Sequence, residues 1–365
     1  MPIPDSRAAA DADCATAVQG VPLHEIAERF GTPVCVYDAD ELRRQWRTWQ
    51  AAHPGPIEAA YLLSANPNVS ITATTRTWCA GAVVGTHTEL TSALLSGYDA
   101  DTIVLDGPLS SADLVDAALH AGIGAFAVSD MAQVALLDDA AAVAGRPAAV
   151  VARVDPAAPA GAEAFLTALT DRPFDQVRPI GVCVPGGAVT SETVELLTRL
   201  LGHLTGASPE DRLVVLQPDA AEQVGRVASL ADLGRVVIAT GHPQLQQAAT
   251  LLTRVVHTAP SGAPVRFDCP LPDGARPYAL LAEQDTGRHE DDCTARNLDA
   301  AELRLGDLVA TAGAGLLDLP LPVGHILSHG VPAEVLVVDG RAVSIRSAAT
   351  TEYLLNRQNV MSPTT

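Results

Sequence analysis

The chain has 365 residues, 48% of them hydrophobic, 18% charged and 4% aromatic, with 23 basic side chains against 43 acidic ones. That apolar fraction supports a packed core and excludes wholesale disorder. The formal charge of −20 repels phosphate backbones and anionic lipid, which argues against nucleic acid and membrane surfaces as partners.

No apolar run reaches the roughly 18 residues that cross a bilayer. The segment MPIPDSRAAADADCATAVQG carries acids and no apolar signal core, so a cytoplasmic protein is expected. All 23 basic residues are arginines, and the chain contains no lysine at all. No side-chain amine is therefore present to form a Schiff base. The six cysteines, Cys14, Cys35, Cys79, Cys183, Cys269 and Cys293, show neither CxxC nor zinc-finger spacing. They are expected to be reduced, buried small hydrophobes, and no metal is expected.

In chain order, TPVCVYD (32–38) is the first clear strand. Eight short apolar runs follow, starting near residues 57, 80, 102, 125, 148, 179, 213 and 236. Most successive starts lie 22 or 23 residues apart. Amphipathic segments fill the intervals, such as SSADLVDAALHAG (110–122) and TSETVELLTRLLGHL (190–204), with apolar residues at helical spacing. Ser110 and either Thr190 or Ser191 are the candidate N-caps. Eight strands with crossover helices predict an α/β fold built on a (β/α)8 barrel. An open doubly wound sheet would want a glycine-rich first turn, which is missing.

After about residue 246 the runs become short and strand-like, and Val337 to Val343 reads as a hairpin around an Asp339-Gly340 turn. The expected domains are an N-terminal segment 1–38 whose strand joins the β domain, a barrel at 39–245, and a C-terminal β domain at 246–365.

This layout, together with several ordered segments, resembles the fold-type III pyridoxal-phosphate decarboxylases, of the diaminopimelate and ornithine decarboxylase kind. The segments are GTPVCVYDADELRRQWR (31–47), YLLSANPN (61–68), TELTSALLSGY (88–98) and ARVDP (152–156), then ARPYAL (275–280), LRLGDLVATAGAG (303–315) and PAEVLVVDGRAVSIR (332–346). The resemblance spans about residues 20–355. It implies an alanine-racemase-like barrel followed by a β domain that takes the N-terminal strand, and a dimer with shared sites.

The departures from the family pattern concern the cofactor. Ser64 stands where the resemblance implies the aldimine lysine, within Ser64-Ala65-Asn66-Pro67. Thr86 and His87 replace small residues after the second strand, and Asp106 and Ser110 replace a His and a Lys after the third. Cys183 and Pro185 occupy the region of the ring-stacking histidine. The turn in VVLQPDAAEQVG supplies bulkier and acidic residues in place of a triple glycine that would admit a phosphate. Ala239-Thr240-Gly241-His242 replaces Glu-Pro-Gly-Arg, and Gly315-Leu316-Leu317 replaces Gly-Ala-Tyr. Loss of aldimine, stacking, ring-nitrogen and phosphate partners together leads to the expectation of no cofactor.

Some substrate-side positions match the family. Arg276 corresponds to an arginine near the substrate carboxylate, and Cys293 to a cysteine given across the dimer interface; Arg153 and Asn66 also remain. Ser64, His87, Cys183, His242 and Cys293 are the candidate residues of a degenerate site, and Arg276 is the candidate substrate-binding residue.

A Cys–His pair would serve nucleophilic or acid–base work. The plainer expectation is a drifted pocket filled by whatever packs, because these residues come from separate strands and loops. HEDDC (289–293) reads as a solvated acidic loop, Gly186-Gly187 as a turn, and His325 and His329 as part of a loop without a role.

Three functions follow. The first is a non-catalytic binding or partner protein, dimeric with itself or with a related decarboxylase. The second is a repurposed, cofactor-independent enzyme acting on an amino-acid-like or carrier-bound metabolite. The third is a decarboxylase with non-covalently held pyridoxal phosphate. Fold alone does not choose among them.

Overall fold

The computed structural model describes residues 15–53, 55–171, 174–187, 189–204, 206–218, 227–258, 265–272, 275, 277–282, 293–297 and 303–356. A hairpin of Ala17–Val18 (β1) and Val21–Pro22 (β2) leads into α1 (Leu23–Phe30), β3 (Val34–Asp38) and α2 (Ala39–Ala52). The repeating part follows: β4 (Ile57–Leu62), α3 (Val69–Thr75), β5 (Gly81–Val84), α4 (His87–Leu95), β6 (Ile103–Leu105), α5 (Ala112–Ala121), β7 (Ala125–Val128) and α6 (Met131–Ala144). It continues with β8 (Ala148–Arg153), α7 (Pro159–Asp171), β9 (Val177–Pro185), α8 (Ser191–His203), β10 (Leu213–Gln217), β11 (Arg235–Thr240) and α9 (His242–Gln247). The chain forms two compact units, residues 46–243 and residues 1–45 with 244–365.

In the first unit, β4 to β11 close into a parallel barrel in the order β10-β11-β4-β5-β6-β7-β8-β9, as the eight-run spacing predicts. Alternate residues face inward because side chains flip sides at each step along a strand. Ala60, Val83, Val104, Ala125, Ala127, Val151, Ile180, Cys183, Leu213, Val215, Val237 and Ala239 therefore share one interior cluster.

Helix starts follow local chemistry. Thr86 caps α4, Asp130 caps α6, and Thr190 caps α8 through a capping box with Thr193. The α5 helix starts one residue later than the sequence suggests: its N-cap is Ser111, not Ser110, and Ser111 makes no side-chain cap bond. All three tryptophans of the chain gather in this unit. Trp46 lies 6.1 Å from Trp49 and 6.4 Å from Trp78, ring centre to ring centre.

The second unit carries β12 (Ala249–His257), β13 (Arg266–Phe267), β14 (Pro277–Ala282), β15 (Cys293–Asn297) and β16 (Leu308–Ala312). It ends with α10 (Val323–His329), β17 (Ala333–Val338), β18 (Arg341–Arg346) and α11 (Thr351–Leu355). Its sheet runs β15-β14-β16-β12-β3-β17-β18. The N-terminal strand β3 lies inside it, antiparallel to β12 and parallel to β17.

Val34, Val36, Leu252, Leu308, Val335 and Val337 pack into one core on this sheet. Each such side chain contributes about 1.5–3 kcal/mol when fully buried. The β17–β18 hairpin turns at Asp339 and Gly340 with φ of 50° and 68°, the left-handed pair that a two-residue primed turn requires. His325 and His329 do not lie in a loop. They sit on α10 with stacked rings 4.6 Å apart, because a four-residue spacing aligns side chains on one helix face.

Candidate functional site at the barrel mouth

The C-terminal ends of parallel barrel strands are where this architecture places function. The period-two alternation decides which residues reach that level. Val104, Val151 and Val215 face the interior, so the residues two positions on, Asp106, Arg153 and Gln217, form the next layer toward the mouth. Strand register adds Cys183, which pairs with Arg153 on one side and Val215 on the other.

These four side chains meet. The Gln217 amide donates to Asp106 Oδ2 at 2.6 Å, and its nitrogen lies 3.6 Å from Cys183 Sγ. Arg153 Nη1 stands 3.0 Å from Asp106 Oδ1. That contact has ion-pair distance without hydrogen-bond geometry, which leaves Oδ1 short of a hydrogen-bond donor. The Asp106 side chain is only 6% exposed, and that of Arg153 is 34% exposed. A buried carboxylate needs such partners, since an uncompensated charge in a barrel interior is expensive. Burial, with the Asp106 charge second, pushes the Cys183 thiol up to about 12. At neutral pH Cys183 is a protonated thiol and a poor nucleophile.

The residues singled out from the sequence fall on separate elements. Ser64 is an exposed residue of a short 3-10 turn, Leu63–Ala65, just beyond β4. His87 is the exposed first residue of α4, and its Nδ1 lies 3.4 Å from Thr91 Oγ1. Cys183 is wholly buried. His242 is the half-buried first residue of α9. Cys293 begins β15 in the other unit, its side chain outside the described residues; Arg276 lies outside them entirely, as do residues 219–226 of the seventh-strand turn.

Asn66 is buried; its carbonyl accepts from Tyr61 Oη at 2.7 Å and its side-chain oxygen from the Asn68 amide at 2.9 Å. It has a structural role at the end of β4. Gln217 was not singled out as a site residue in the sequence. The alternation Leu213-Val215-Gln217 is the signal that places it inside the barrel. No group of three or more metal-ligating side chains occurs among the described residues.

Beside this cluster, a cleft of about 960 Å³ opens over the ends of β8 and β9. Ser129, Arg153, Asp155, Gly186, Thr190 and Glu192 are among its lining residues. Gly186 and Gly187 turn there with φ of 82° and 84°, so the expected turn is present. The volume lies in the range of small-molecule sites, about 300–1,000 Å³.

Comparison with known proteins matches this architecture to one family. Residues 39–174 match the family model described as the pyridoxal binding domain of pyridoxal-dependent decarboxylases. In this region and in its overall architecture the chain is similar to the pyridoxal-dependent decarboxylases.

It is 27% identical to the diaminopimelate decarboxylase of Pseudomonas aeruginosa, over 94% of this chain and 96% of that protein. It is 21% identical to the L-glutamyl-[BtrI acyl-carrier protein] decarboxylase of Niallia circulans, over 91% of this chain and 95% of that one. A stretch of 143 residues is 32% identical to the Zymomonas mobilis diaminopimelate decarboxylase, covering 38% of this chain and 34% of that protein. The structure of diaminopimelate decarboxylase from M. jannaschii has the same fold, with a TM-score of 0.75 at 18% identity over 96% of this chain and 97% of that one. Among the described residues no helix is long and apolar enough to cross a membrane.

Proposed function

We propose that this chain is a decarboxylase-family protein that has left pyridoxal chemistry and works by binding, as a non-catalytic cytoplasmic partner protein. The observation that carries this reading is the absence of lysine from all 365 residues. An internal aldimine needs a side-chain amine, and the Ser64 hydroxyl at the corresponding position cannot supply one.

The other positions point the same way. At the end of β11, Ala239 is 1% exposed and belongs to the apolar interior, so it offers no carboxylate to a ring nitrogen. At the corresponding position of β9, Cys183 offers a buried thiol in place of an imidazole face. The residues present do not fit pyridoxal phosphate. A phosphate dianion taken from water without matching donors loses its solvation unreplaced.

The partner is a second copy of this chain or a related decarboxylase. The test is a titration with pyridoxal phosphate followed by absorbance and calorimetry, with analytical ultracentrifugation alone and with candidate paralogues. We expect no Schiff-base absorbance, no micromolar binding and a dimeric species. Micromolar binding of the cofactor overturns the reading.

The cleft over β8 and β9 favours a second reading, a cofactor-independent enzyme acting on an amino-acid-like or carrier-bound metabolite. Its charged lining (Arg153, Asp155 and Glu192) suits such a ligand. Turnover of a metabolite that stops in Arg153→Ala would support this second reading over the first.

A further inference from the structure

The contact between Gln217 and Asp106 joins opposite walls of the barrel. In the closed order of strands, β6 and β10 are separated by β7, β8 and β9 on one side and by β5, β4 and β11 on the other. They face each other across the full width. Asp106 follows the last residue of β6 and Gln217 is the last residue of β10, so their 2.6 Å hydrogen bond crosses the mouth at one level.

Two further groups brace it. Arg153 at the end of β8 stands 3.0 Å from the second oxygen of Asp106, and Cys183 of β9 lies against the Gln217 amide nitrogen at 3.6 Å. Side chains from the ends of four strands thus meet at the mouth.

We infer that the Gln217–Asp106 bond is a strap that shuts the barrel mouth against a planar ring, so that the pyridoxal group is excluded by an occupied space as well as by a missing lysine. This rests on the reading proposed above and adds its steric cause. A ring entering the mouth must lift Gln217 away from Asp106. Asp106 then keeps only Arg153, inside a low-dielectric interior where an unmade bond to a charge is costly. The bond is charge-assisted and short, which makes it one of the stronger kind.

Lifting Gln217 also uncovers the sulfur beneath it. Cys183 is 0% exposed in the strapped state, and its reactivity therefore reports the position of the strap. The open cleft over β8 and β9 lies beside this plug and includes Arg153 in its wall, so a ligand there meets the strap's brace rather than the barrel centre.

The test is alkylation of the folded full-length protein by iodoacetamide, read residue by residue by mass spectrometry. It compares wild type with Gln217→Ala, which deletes the strap, and Gln217→Met, which keeps most of its volume without its donor. Cys79, buried elsewhere in the same unit and 5% exposed, is the internal standard, because global unfolding exposes both thiols together. The readout is the ratio of the Cys183 rate to the Cys79 rate.

We expect that ratio to rise about tenfold or more in Gln217→Ala, the factor that about 1.4 kcal/mol of lost closure gives, and to rise less in Gln217→Met. A ratio within about twofold of wild type in both variants overturns the strap, as does fast labelling of Cys183 in wild type while Cys79 stays protected. No cofactor enters this experiment. Failure here leaves the cofactor titration to decide the broader reading separately.

Discussion

Arg235 holds Glu58 with both ends of its guanidinium, Nε to Oε1 at 2.9 Å and Nη2 to Oε2 at 2.7 Å. The two residues belong to β11 and β4, the last and first barrel strands, which pair in parallel with Val236 opposite Ile57 and Val237 opposite Glu58. The ion pair therefore sits on the seam where the barrel closes. Both side chains are more than a third exposed, so solvent screening keeps the bridge modest even in fork geometry. Glu58→Gln is expected to cost about 1 kcal/mol. Chemical denaturation followed by intrinsic tryptophan fluorescence measures this, since Trp46, Trp49 and Trp78 all lie in the barrel unit. An unchanged midpoint would show that the seam does not need the pair.

The sheet unit contains a more heavily buried charge. Glu334 on β17 is 0% exposed and is hydrogen-bonded to Arg346 Nε on β18, the Arg346 side chain being 35% exposed. Arg346→Ala removes the cation and leaves the carboxylate inside. Because Arg346 reaches solvent, the loss is expected near the lower end of the range for broken buried pairs, about 3 kcal/mol. Pairing it with Glu334→Gln should recover part of that loss, which a double-mutant cycle by urea denaturation would measure.

A backbone crossing limits β9. A Cβ placed on Gly181 would lie 1.7 Å from the Leu213 carbonyl oxygen and 2.7 Å from its carbon, on the neighbouring strand to which Gly181 is paired. Gly181→Ala must push β9 and β10 apart, and with them Cys183 and Gln217. A loss of about 3 kcal/mol or more is expected, at the upper end for overpacking. Soluble expression followed by thermal denaturation checks it. A variant as stable as wild type would mean the strands part more easily than their register suggests.

The buried thiols are expected to lower stability in alkaline solution. Burial raises Cys35 and Cys79 well above the ordinary thiol value and takes Cys183 and Cys269 up to about 12, with nearby carboxylates adding to Cys35, Cys183 and Cys269. A raised folded-state value means the native protein holds these protons more tightly than the unfolded chain. Their contribution is fully present below the unfolded thiol value of about 8.5 and declines above it. For Cys183 and Cys269 the decline runs up to about 12. The urea midpoint is expected to fall with rising pH from about 9, and Cys183→Ser should flatten that fall.

Local chemistry was legible in the sequence, and for a physical reason: it is written within a few residues. The alternation of apolar runs with helical segments gave eight barrel strands, because each strand and its crossover must bury its own apolar face. The Asp339-Gly340 pair specified its hairpin, since few residues tolerate φ of 50° and 68° in succession. The absence of lysine left no side-chain amine for a Schiff base, without reference to any fold.

Only the tertiary structure put Gln217 on Asp106, 111 residues apart in the chain. That meeting depends on which strands face each other after closure, a property of the ring of eight that no local window contains. For β3 the sequence predicted the strand and its joining of the β domain, while its exact place between β12 and β17 was chosen by the apolar surfaces left uncovered more than 200 residues later. The α10 helix was missed because its seven residues are too few to show a helical period by themselves.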